Sequence, residues 1–177
     1  MRRFLDRLYQ LSGYAAAGFL VLICLTVATQ VTFRLIDAIA FRLTGERYGL
    51  LVPSAAEFSG FFLAAASFLA LAHTLRHGEH IRVNLLLRNL NGRARRAVEL
   101  SAGAVGLLIS GFFSWHTLLM VIDSWQFGEV SFGIVPVPLW IPQAAMLAGL
   151  VILTIAFADG FIAILRGRTP LWADGEA

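Results

Sequence analysis

Four long apolar runs separated by three more polar stretches organise the chain: residues 11–33, 55–75, 97–122 and 139–165. A segment needs about 20 apolar residues to cross about 30 Å of hydrocarbon, and each run is long enough. The first run carries no charge. The second has Glu57 near its start and His73 near its end, the third has Glu99 early and His116 late, and the fourth holds Asp159 alone. An open strand in lipid would leave its backbone hydrogen bonds unmade, so the runs are predicted as helices. The expected fold class is an all-α membrane protein with four transmembrane helices, forming a single membrane domain over residues 1–177. Met1, Arg2 and Arg3 have the charge of a secretory leader, but a leader's apolar core spans only about 7–15 residues. The longer run here predicts a retained helix.

The polar stretches differ in kind. Residues 34–54 carry Arg34, Asp37, Arg42, Glu46, Arg47 and Pro53, which predicts a short interfacial helix followed by a turn. In the second stretch Val83, Leu86, Leu87 and Leu90 fall on one side of a helical wheel, with Asn84, Arg88 and Asn91 beyond one edge. Ile81 and Leu85 land elsewhere. This imperfect amphipathicity predicts an interfacial helical arm over residues 78–92, with Arg76, Arg82 and Arg88 directed to lipid phosphates; a solvated basic linker is the alternative. The third stretch, 123–138, is rich in Gly and Pro and reads as an irregular cap. Within the runs, small residues recur four apart: Ala56, Gly60 and Ala64 in the second, and Ala102, Gly106, Ser110 and Ser114 in the third. Such ridges let helix backbones approach closely in lipid.

Composition agrees with this reading, since 58% of the 177 residues are hydrophobic and 14% charged, where soluble domains carry about 25% charged residues. The net charge of +3 does not indicate nucleic acid, because the charges lie between apolar runs rather than on one dense face. All 14 basic residues are arginine, and their distribution sets the orientation. Eleven fall in the N-terminus, the second stretch and the tail, and three in the first and third stretches. The positive-inside rule then places both termini and the arm in the cytoplasm. Trp125 and Trp140 flank the third stretch, where an outer aromatic belt belongs. The single cysteine, Cys24, lies in an apolar run and reads as helix packing, because low dielectric disfavours a thiolate.

Candidate chemistry is sparse. His73, His77 and His80 share one helical face with Glu79 nearby, a spacing that could ligate a metal, but the surrounding arginines oppose a cation. Haem would need two histidines at similar depth on facing helices. Counted from the inner ends of their runs, His73 and His116 differ by about 25 Å in depth, which excludes a shared haem. Glu57, Glu99 and Asp159 are membrane-region carboxylates, each near the end of its run. Structural ion pairs or subunit contacts are expected of them rather than ion coupling. No nucleotide loop, nucleophile elbow, cysteine pair or inverted repeat is present, and no cofactor is expected.

Several strings resemble a known family. Glu57 opens a run of the form E-x-x-x-F, an Ala-rich middle follows, and the exit reads Gly78-Glu79-His80-Ile81-Arg82-Val83-Asn84. Leu139-Trp140-Ile141-Pro142-Gln143, followed by Gly149, opens the fourth run. These resemble the small membrane subunit of tripartite ATP-independent periplasmic (TRAP) transporters, the DctQ-like family; the long first loop departs from its pattern. The resemblance implies a non-enzymatic scaffold in the bacterial inner membrane. Its partners would be a large permease subunit on a separate chain, a periplasmic substrate-binding protein and membrane lipids. Uptake of an organic acid would be driven by an ion, usually sodium. Glu57, Gly60, Ala64, His80, Gly106, Ser110 and Asp159 are the expected subunit-interface or structural positions. Arg76, Arg82, Arg88, Trp125 and Trp140 are the expected lipid-interface positions. Two other classes stay open: a haem or quinone membrane anchor of an oxidoreductase, and a small four-helix exporter.

Overall fold

A computed structural model of the protein describes residues 2–46, 48–76 and 92–167. The expected interfacial arm, including His80, Arg82 and Arg88, lies outside the described residues apart from Gly92, which opens the third helix. Four helices account for most of the described chain: α1 (Arg2–Thr44), α2 (Ala55–Arg76), α3 (Gly92–Gln126) and α4 (Trp140–Leu165). All four are long and apolar enough to cross a bilayer.

The first helix departs from expectation. It does not stop where the apolar run stops at residue 33, but continues unbroken through Arg34, Asp37 and Arg42 to Thr44. The polar residues end the hydrophobic stretch without ending the helix, because no Gly or Pro interrupts residues 19–44. Gly45, at φ +74°, takes the left-handed conformation that terminates it, and its N–H donates to the Phe41 carbonyl at 3.0 Å. The expected interfacial helix and turn are thus replaced by a continuation of α1. At 43 residues, α1 is about 65 Å long, roughly twice the hydrocarbon thickness.

The helices form a row in the order α1, α2, α4, α3, with α1 also touching α4. Burial follows that order. The apolar windows of α4 and α2 are 33% and 28% buried, against 11% for α1 and 6% for α3. Where α1, α2 and α4 meet, Tyr9, Ala72, Leu75, Leu153 and Ala156 form the buried core. Neighbouring contacts define the register. Asp6 of α1 lies opposite Arg76 of α2, Ser12 opposite Leu69, and Phe19 opposite Phe62, an antiparallel pairing. Continued, it sets the start of α2 level with Thr26. Residues 27–44 therefore project about 27 Å past the other helices at helical rise. The returning chain is held to this projection by the Gly49 N–H, which donates to Asp37 Oδ1 at 3.0 Å.

The stretch between α3 and α4 is more regular than an irregular cap. Val130 and Pro138 form an antiparallel bridge; Ser131 N–H donates to the Val137 carbonyl at 2.9 Å and Leu139 N–H to the Glu129 carbonyl at 3.0 Å. This hairpin marks one end of the row. The other, where α2 closes on Arg76 and Arg96 sits beside the last turn of α4, is the arginine end. Pro142 is tolerated in the first turn of α4 because that N–H would have no intrahelical partner.

Candidate subunit-interface and packing sites

At the hairpin end, Glu57 stands in the first turn of α2, where the positive end of the helix dipole favours a carboxylate. Its Oε2 is buried without a hydrogen-bond partner, directly beneath Gly133 of the hairpin. A Cβ on Gly133 would overlap that carboxylate, so a side chain there would have to displace Glu57. Ser54, at φ +55°, turns the chain into α2, and its Oγ accepts the Val135 N–H at 3.0 Å. Ser124, almost fully buried, donates to Glu129 Oε2 at 2.6 Å and holds the hairpin to α3. Trp125 and Trp140 meet edge to face, their centroids 4.8 Å apart. Both indoles thus stand at one level of the row.

Two seams hold the middle. Gly149 of α4 lies against the backbone of Phe68 in α2, where any side chain would overlap main-chain atoms. The two helices approach closely here, and Ala65, Ala66, Leu69 and Ala72 are buried on the same side of α2. The small-residue ridge read from the sequence lies elsewhere: Gly60 is exposed, with nothing near the place of a Cβ, and Ala56 is exposed too. Ala64 is half-buried. On the second seam, Gly106 accepts the Phe157 ring of α4, Ser110 is buried, and Ser114 Oγ lies 3.0 Å from Thr154 Oγ1. Ala102 is exposed and Gly103 is buried in its place.

At the arginine end Arg76 Nη2 pairs with Asp6 Oδ1 at 3.1 Å, and its Nη1 donates to the Asp6 carbonyl at 3.1 Å. Asp159 is half-buried on α4 near the fully buried Tyr9. Arg96 Nη2 donates to the Ile164 and Leu165 carbonyls, each at 3.2 Å, satisfying the C-terminal end of α4. The Asp6–Arg76 pair and the Ser12 bond to the Leu69 carbonyl were not readable from sequence. They depend on the antiparallel register, and the length of the continuous α1 hides it.

The depth separation of His73 and His116 inferred from run ends is overturned. Thr154 is level with Ser114, and Gly149 with Phe68, which brings the two histidines within about one helical turn in depth. The run-end count failed because α3 extends well past the end of α2. Instead they are separated sideways. His73 packs on Gly13 of α1, whereas His116 is exposed on α3, whose extensive packing is with α4. Among the described residues no group of three or more His, Cys, Asp or Glu could hold a metal ion. What the polar groups do here is join helix to helix.

Residues 23–167 match the family model described as "Tripartite ATP-independent periplasmic transporters, DctQ component". That stretch takes in α2, α3, α4 and the second half of α1. The chain has no significant match among curated proteins or solved structures.

Proposed function

The chain belongs to the DctQ component family of tripartite ATP-independent periplasmic transporters, and we propose that it is the small membrane subunit of such a transporter. In this reading it forms one domain of the bacterial inner membrane, with both termini cytoplasmic and residues 78–92 lying as an arm in the inner interface. It scaffolds a large permease on a separate chain that takes up an organic acid with sodium, delivered by a periplasmic binding protein. The match over residues 23–167 carries the proposal. Its physical support is the placement of the carboxylates. Glu57 lies at the hairpin end, and Asp159 and Glu99 toward the arginine end, whereas ion sites of secondary transporters lie near the midplane beside broken helices.

Glu57 and Asp159, with His80 in the arm, are subunit-facing or structural positions in this scheme. Gly60 and Ala64 present an open small-residue face of α2 to the large subunit. Arg82 and Arg88 face inner headgroups, Arg76 stands at that end held to Asp6 rather than turned to lipid, and Trp125 and Trp140 mark the outer interface. Reconstitution tests the whole reading. Sodium-dependent uptake into liposomes should need this chain, the large subunit and the binding protein together. Uptake by this chain alone, or a large subunit fully active without it, would overturn the proposal.

A further inference from the structure

Beyond the α2 face of Gly60 and Ala64, the proposed scaffold role does not say what covers α3. α3 stands at the end of the row, with one flank on α4 and, among the described residues, the opposite flank bare. On that bare flank Phe112 and Trp115 are 60% and 61% exposed, and His116 is exposed with its ring 4.3 Å from that of Phe112. His116 lies nine residues from Trp125, about 14 Å along the helix. If Trp125 marks the interface, as aromatic belts do, His116 sits near the middle of about 30 Å of hydrocarbon.

An imidazole at that depth is costly against lipid, and such groups turn toward protein or a polar cavity. Trp115 brings an indole N–H to the same region, and neither side chain makes a hydrogen bond among the described residues. α1 at the opposite end of the row differs. Between residues 15 and 25 it exposes only alanine, glycine, leucine and valine besides Cys24, with Tyr14 ending the stretch toward the arginine end. Hydrocarbon can cover that face of α1 without leaving a polar group unmet.

We propose that the bare face of α3, centred on Phe112, Trp115 and His116, is covered by a transmembrane helix of the large subunit that presents a hydrogen-bonding group to the His116 imidazole. This inference rests on the scaffold reading above. In cells producing the whole transporter, a photo-reactive amino acid at Phe112 or Leu119 should crosslink to the large subunit, and one at Leu22 of α1 should not. Co-purification of the two subunits is scored in parallel. Its loss in the unsubstituted protein would remove the scaffold reading itself. With co-purification intact, crosslinking from Leu22 but not Phe112, or product at the mass of two copies of this chain, would overturn the present inference alone. His116→Leu should lower recovery of the large subunit about threefold, the effect of an average interhelical hydrogen bond in a membrane protein, while His116→Gln retains it. A face turned to lipid would instead leave recovery unchanged or raised with His116→Leu, and that result would also overturn the inference.

Discussion

Single glycines decide how closely these helices pack. At Gly149 the α2 backbone occupies the place of a side chain, whereas at Gly60 that place is empty. Gly149→Ala should therefore destabilise the isolated chain in detergent by about 1–3 kcal/mol, the usual cost of overpacking. Gly60→Ala should be neutral or stabilising by up to about 1 kcal/mol, because glycine loses more backbone conformational freedom on entering a helix than alanine does. Thermal unfolding of the two variants separates the cases, and equal losses would contradict the seam at Phe68. The sequence spacing of small residues pointed to Gly60 as readily as to Gly106. Spacing identifies a face that can be approached, but only the neighbour shows whether it is.

At the scale of elements, a side-chain polar contact lies midway along the seam between α3 and α4. Ser114 Oγ meets Thr154 Oγ1 at 3.0 Å, and the Thr154 hydroxyl also donates to the Leu150 carbonyl at 2.8 Å. Ser114 is thus the donor across the seam. A double-mutant cycle with Ser114→Ala and Thr154→Val should give a coupling of about 0.6 kcal/mol, typical of interhelical hydrogen bonds in membranes. A coupling near zero would mean that Thr154 is satisfied by its own helix alone. The length of α1 belongs to the same scale. Leu35, Ile36, Ile39 and Leu43 are exposed on the part that overshoots α2, so this projection carries apolar surface beyond the level of the other helices.

For the whole molecule, the arginine count predicts which end faces the cytoplasm. The structure groups Arg76 and Arg96 at one end and the hairpin at the other. In a Cys24→Ala background, cysteines at Leu43 and Gly128 should label with an impermeant reagent from outside, and those at Arg7 and Gly167 should not. Labelling at Gly167 with Gly128 protected would invert the topology. Among the described residues the row of four helices has no closed centre, and its two flanking helices are the least buried. That openness suits a chain whose remaining surface is completed by lipid or by another subunit.

The existence and number of the bilayer-length helices followed from sequence, because hydrocarbon imposes one length and one hydrogen-bonding solution on any apolar run. The family resemblance in the second and fourth runs was legible for the same reason: it lies in local strings. Helix ends were less so. The polar residues after Phe33 end an apolar run, yet they favour helix well enough to carry α1 on to Gly45. Everything that depends on register between helices was decided by tertiary structure alone. Asp6 meets Arg76, Gly149 meets Phe68, and His73 shares the depth of His116, although nothing in the separate strings aligns them. Hydropathy records how much apolar surface each helix has; which side chains oppose one another depends on close packing between neighbours, a property that no single helix contains.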